Sequence, residues 1–309
     1  MNHQHPSTLN GRTLLAALDA DADLAELRNA NLDRCGLTSI PDRVLTLTSL
    51  ITLSLFDNQL TDLPPALSHL HFLQTLNLSQ NLFTAIPNEI GLLENLRMLD
   101  LGHNQLATVP APIGALRDLE FLYLSNNRLS RMPDSFKALT QLRYLNLTDN
   151  EFHELPDWIG ALDQLIELRL YNNALTALPA EIGALTHLVE LHAYNNQLTT
   201  LPDSIGQLAS LVKLDLQGNH LAALPESIGD LRQLTELNLR FNALTALPAS
   251  MAQLEALEYL DLRANALTTL PENLSQLSRL RKIDLRWNRL ATDPPCLAAL
   301  AKHGCIVYT

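Results

Sequence analysis

The sequence predicts an α/β solenoid: short parallel strands stacked along one axis, each followed by a sharp turn and a short helical or 3-10 return. Three observations predict it. Asparagine recurs every 23 residues, eleven times in phase from Asn58 through Asn81 and Asn104 to Asn288, and the preceding beat lands on Cys35. Proline keeps the same beat twelve times, from Pro41 through Pro64 and Pro87 to Pro294. Leucines fall at fixed offsets from both. A fixed period of roughly 20–50 residues marks a stacked array in which each unit is stabilised mainly by its neighbours. The 309 residues alone would suggest two globular domains, but the unbroken period from Leu27 to Ala299 reads as one continuous solenoid.

One repeat, Leu73 to Asn95, shows the local reasoning. Leu76 and Leu78 alternate with Thr75, Asn77 and Ser79, the period-2 signal of a short strand with leucines inward and polar residues outward. Asn81 follows at the turn. Its amide carries donors and an acceptor on a short side chain, so it can pair backbone groups stranded by a tight turn and bridge to the neighbouring repeat. Pro87 fixes φ and opens the return. Ile90 and Leu93 share an inward face, and Gly91 suits a helix end. That glycine recurs at Gly114, Gly160, Gly183, Gly206 and Gly229, and is replaced by Ser68, Lys137, Ala252 and Ser275.

The unit written LxxLxLxxNxLxxLPxxIGxLxx resembles the leucine-rich repeat family. Its 23-residue LPxxIG form is similar to the intracellular Ras-associated class and its bacterial relatives. The resemblance implies a horseshoe with a parallel β-sheet on the concave side, short helical or 3-10 turns on the convex side, and a protein partner on the concave face.

Four segments are expected. Residues 1–12 form a polar, disordered tail, and 13–26 an amphipathic N-terminal capping helix. Residues 27–294 hold twelve repeats. Residues 295–309 form a C-terminal cap of helix and strand, after which no further domain is expected. The N-terminus lacks the basic start and long apolar run of a signal peptide, so a cytoplasmic location is expected, with export by a specialised secretion system as the alternative. A net charge of −12 disfavours nucleic acid. No membrane association is expected, and the chain is taken as a monomer. Three cysteines, Cys35, Cys296 and Cys305, are too few and too scattered for a disulfide framework. Cys35 reads as a buried thiol in an asparagine position.

No catalytic signature is present: no GxSxG, HExxH, P-loop, GxGxxG or CxxC. His187 and His192 fall on different parts of one repeat, a poor metal geometry, so no catalytic residue, metal or cofactor is expected. Similar bacterial effectors can carry a separate ubiquitin-ligase domain, and nothing beyond the C-terminal cap would hold one. The expected function is non-catalytic recognition of a protein partner by a scaffold or regulator. The alternatives are a secreted bacterial effector and an enzyme with an unrecognised site.

The outward strand columns nominate two patches. Phe121, Tyr123, Tyr144, Arg169, Tyr171, His192 and Tyr194 fall in four consecutive repeats of a chain that is only 5% aromatic. Compact Tyr, Phe and Arg make a binding hot spot, or else cross-strand stacking that stabilises the sheet. The second patch is Arg240, Arg263 and Arg286 beside Asp261 and Asp284, with Phe241 and Trp287 at the side. It reads as mutual charge pairing of a solvated face, or as recognition of an acidic or phosphorylated segment. The aspartate column neutralises the arginine column, which favours pairing.

Overall fold

In the computed structural model residues 8–292 and 294–309 are described. They cluster into two compact units that part between Glu151 and Phe152, a division inside the repeat run expected over 27–294. In the first unit β1 (Thr8–Asn10) leads into helix α1 (Gly11–Asp19), then β2 (Asn29–Asn31), β3 (Thr52–Ser54), β4 (Thr75–Asn77), β5 (Met98–Asp100), β6 (Phe121–Tyr123) and β7 (Tyr144–Asn146). The second unit holds β8 (Glu167–Arg169), β9 (Glu190–His192), β10 (Lys213–Asp215), β11 (Glu236–Asn238), β12 (Tyr259–Asp261), β13 (Lys282–Asp284), helix α2 (Pro295–Lys302) and β14 (Ile306–Tyr308). Within each unit neighbouring strands pair in parallel, and between repeats the register shift is one repeat, as in Thr75↔Met98 and Glu190↔Lys213.

From β2 to β13 each strand buries its central residue, and most flanking residues are half-buried, with Asn146, His192 and Asp284 buried. Leu76, Leu99, Leu214 and Leu237 are fully or almost fully buried, as are the leucines two positions on, such as Leu78 and Leu216. The strand then ends abruptly. The residue before each asparagine adopts a left-handed backbone, with φ of 53° at Gln80 and 55° at Asn172, and the chain turns inward. At that turn Asn81 Nδ2 donates to Leu55 O and Leu78 O at 2.9 and 3.0 Å, while its Oδ1 accepts from Leu60 N–H at 3.0 Å. The amide therefore stitches its own turn to the preceding repeat.

From Pro41 to Pro271 the prolines open 3-10 turns, whereas Pro294 caps the α-helix α2. Pro87 has φ −69°, and Leu93 N–H closes the turn on Ile90 O at 3.2 Å. Gly91 lies inside this turn and does not end it. A Cβ there would sit 2.5 Å from Pro112 O in the next repeat, so backbone proximity demands the glycine. Ser79, expected to point outward, is buried, as is Thr148 at the same place three repeats on. Ser79 stands where the chain curls into the turn, and its hydroxyl donates to Asn77 Oδ1 at 2.6 Å.

At the N-terminal end, the part of the expected tail over residues 1–7 lies outside the described residues. Residues 8–12 are ordered into β1 and the start of α1, because Thr8–Asn10 find a parallel partner in Asn29–Asn31. Gly11, at φ +46°, makes the corner into α1, whose Leu14 and Leu18 are buried. The capping helix thus runs 11–19 where 13–26 was expected. At the other end α2 buries Cys296, Leu297 and Leu300, and β14 pairs with β13. All three cysteines are free. Cys35 is half-buried, not buried; its N–H donates to Asn58 Oδ1 at 3.1 Å and its thiol donates to Asp33 O at 3.5 Å, which reproduces only the two-residue reach of an asparagine amide. Among the described residues no helix is long and apolar enough to cross a membrane.

Candidate functional site: the outward strand residues

The register places the outward residues in columns, because identical offsets in parallel strands stand side by side. In the first unit Phe121 on β6 lies in register with Tyr144 on β7. Tyr123 and Tyr144 meet diagonally, with ring centroids 4.7 Å apart and planes inclined at 37°. In the second unit Tyr171 and Tyr194 follow β8 and β9 and stack almost face to face, with centroids 4.2 Å apart and planes 8° from parallel. All five aromatics are half-buried, not fully exposed. Stacking of this kind contributes about 0.5–1.5 kcal/mol beyond area burial, so these rings support the sheet as well as facing outward.

Beside the stacked tyrosines lies a charged group. Arg169 on β8 is in register with His192 on β9, and Glu167 with Glu190. Arg169 Nε reaches Glu167 Oε1 at 2.5 Å. His192 Nε2 lies 2.8 Å from Glu190 Oε2 and 3.9 Å from Glu167 Oε1. His192 is buried, with 9% of its surface exposed. Glu167 and Glu190 were missed in the sequence because each is one of many acidic residues. Their meaning appears only when register sets both beside one histidine.

The arginine column resolves into pairs. Arg263 binds Asp261 through Nη2 at 2.5 Å, and Arg286 binds Asp284 through Nη2 at 2.7 Å. Arg263 Nε also lies 3.6 Å from Asp284. Burial opposes ionisation of Asp284, but hydrogen bonds from Arg286 and the charges of Arg286 and Arg263 outweigh it and hold the carboxyl below its usual range. Hydrogen bonding to Asp261 and Asp284 raises Arg263 and Arg286 respectively. Mutual pairing therefore describes these two arginines. Arg240 differs: its Nε donates to the neutral Gln217 Oε1 at 2.5 Å. Phe241 and Trp287 are 50% and 66% exposed, and each lies beneath a guanidinium at 5.7 Å. A groove of about 400 Å³ opens among β10 to β13, lined by Lys213, Asp215, Glu236, Tyr259, Asp261 and Lys282.

Comparison with known proteins accords with this architecture. The family model described as a leucine-rich repeat region matches residues 134–211 and 194–302. Models described as leucine rich repeat and as two copies of that repeat match 94–152 and 48–92. The chain belongs to the leucine-rich repeat family. A leucine-rich repeat protein of Leptospira interrogans is 33% identical, with a TM-score of 0.71 over 98% of this chain and 89% of that one. The leucine-rich repeat ectodomain of the Arabidopsis thaliana receptor kinase GASSHO1/SCHENGEN3, solved in complex with CASPARIAN STRIP INTEGRITY FACTOR 2, is 32% identical, with a TM-score of 0.71. The match covers 88% of this chain and 37% of that one. The Toll–Spätzle complex of Drosophila gives 25% identity and a TM-score of 0.72 over 96% of this chain and 44% of the other. Among curated proteins no relative matches.

Proposed function

We propose that this chain is a non-catalytic module of the 23-residue LPxxIG class that binds a protein partner through its outward strand residues. It would act as a scaffold or regulator in a cytoplasm. The observation that carries the reading is the stacked Tyr171–Tyr194 pair beside Arg169 and His192. Rigid aromatic faces with a neighbouring guanidinium lose little conformational entropy on binding and are enriched among energetically dominant interface residues. Tyr123 and Tyr144, with Phe121, offer the same chemistry in the first unit. Similar structures are described in complex with CASPARIAN STRIP INTEGRITY FACTOR 2 and as the Toll–Spätzle complex, which supports the same use of the fold here.

The test is affinity capture followed by a binding titration of the captured partner. The double variant Tyr171→Ala/Tyr194→Ala is expected to weaken binding by more than about 2 kcal/mol, roughly 30-fold. Because the stack also supports the sheet, the melting temperature is measured beside it. A partner that binds the folded double variant as tightly as the parent chain removes this pair from the interface. The matching variant Tyr123→Ala/Tyr144→Ala shows separately whether the first unit takes part.

A further inference from the structure

We propose that Glu167, Glu190 and His192 form a binding site for a divalent first-row transition-metal ion, of the kind represented by Zn²⁺. One ligand atom from each lies within 4.8 Å of the other two. The set is one imidazole nitrogen and two carboxylate oxygens, a donor combination suited to zinc and its neighbours rather than to calcium or magnesium, which favour all-oxygen sites.

The strand register explains why a cation belongs there. Glu167 and Glu190 stand directly opposite each other on adjacent parallel strands. Like charges so placed repel and destabilise the sheet unless a positive charge lies between them. Arg169 compensates Glu167. Glu190 has Lys213 in register on its other side, but that ammonium pairs with Glu236 at 3.8 Å, and the cationic group within 2.8 Å of Glu190 is the His192 imidazole. His192 is nine-tenths buried and aims Nε2 at both carboxylates, 2.8 Å from Glu190 and 3.9 Å from Glu167. At 2.8 Å from a carboxylate oxygen, Nε2 must carry a proton. A metal ion can take the place of that proton, with Nε2 as a ligand, the neutral ring keeping its one proton on Nδ1 and any second proton released to water.

The distances suit this exchange. Ligand atoms about 2.0–2.2 Å from a zinc ion lie roughly 3–3.5 Å apart. Small rotations of two glutamate side chains, 22% and 40% exposed, bring the three atoms to that spacing. Glu167 has a second oxygen and spare lone pairs, so it can bind metal while keeping its hydrogen bond to Arg169. Ligating carboxylates are commonly held by such an outer partner. The remaining coordination positions face the outward side of the strands, where a water or a partner's side chain can enter.

The inference does not depend on the protein-binding reading, since metal titration needs no partner, and failure of either leaves the other standing. The full chain, stripped with a chelator, is titrated with ZnCl₂ by calorimetry. One saturable site per chain is expected. His192→Asn and Glu190→Gln should each weaken it by at least about tenfold, the lower end of what even outer partners of a metal site cost. His187→Asn, an exposed histidine bonded to Asp163 O, should leave it unchanged. Melting curves keep the test decisive if His192→Asn folds poorly: Zn²⁺ should raise the melting temperature of the parent chain and not that of Glu190→Gln. Absence of a saturable site, or one kept at full affinity in Glu190→Gln, overturns the proposal.

Discussion

Replacing Asn219 by Leu probes the asparagine ladder most directly. Asn219 is buried, with Nδ2 donating to Ala193 O and Leu216 O at 3.0 Å each and Oδ1 accepting from Leu198 N–H at 3.0 Å. Leucine is of similar size but pairs with none of these groups. Leu198 N–H is left buried with its acceptor gone, and three carbonyls, of Ala193, Leu216 and, at 3.4 Å, Gln217, each lose a donor. An orphaned buried polar group costs about 1–3 kcal/mol. The amide, plus three carbonyls that keep other partners, gives about 2–4 kcal/mol in total. The change also cuts a link between two consecutive repeats, so the unfolding transition should broaden as well as shift, because a linear array depends on its nearest-neighbour terms. Urea unfolding followed by circular dichroism measures both effects. Asn273→Leu is the control: that asparagine is half-buried on a 3-10 turn and, among the described residues, its amide bonds Ala249 O alone, at 3.0 Å, so its replacement should cost less than about 1 kcal/mol. If Asn219→Leu costs no more than Asn273→Leu, the ladder does not hold the repeats together.

Three further outcomes follow from the packing and the charges. Gly91→Ala should destabilise the first unit by about 1–3 kcal/mol in thermal unfolding, because its Cβ would collide with the backbone at Pro112. Asp284 is ionised more readily in the folded chain than in the unfolded one. Its contribution is therefore present above the unfolded carboxylate pKa and lost as pH falls through the folded value, so Asp284→Asn should be less stable than the parent at neutral pH, with the gap closing in acid. Asp100 has the opposite sign. Burial raises its pKa against the hydrogen bonds from Gly102 and Ser79, so its contribution is present below the unfolded pKa and lost as pH rises through the folded one. Asp100→Asn, which keeps the acceptor for Gly102 N–H, should be more stable than the parent at neutral pH and lose that advantage in acid. Denaturant titrations at neutral and acidic pH test both aspartates.

Much of the fold is legible in the spacing. Asn81 and Pro87 mark the turn and the return before any coordinate is known, because each is nearly the only residue type that meets its local backbone need. Gly91 is misread from sequence for an instructive reason. A glycine near the end of a short helical pattern has a ready local explanation, whereas its real constraint is the carbonyl of Pro112, 21 residues on. Ser79 fails in the same way: alternation places it outward, but the chain leaves the strand before that residue. At the candidate site the aromatic column was visible, since it departs from an otherwise regular repeat. Glu190 and Glu167 were not, because the meaning of an acidic residue depends on what stands beside it.

The sequence by itself determined the repeat unit, its register and the identity of the buried leucines, since one turn geometry repeated at a fixed interval leaves a one-dimensional trace. Only the tertiary structure decided which outward side chains join: that Tyr171 stacks on Tyr194, that Asp284 is claimed by two arginines, and that His192 lies between two glutamates. Tyr171–Tyr194, Asp284–Arg263 and His192–Glu167 bridge residues about one repeat apart, while Asp284–Arg286 and His192–Glu190 join residues two apart in the chain; all of them depend on strand pairing and side-chain rotamers that no local pattern encodes.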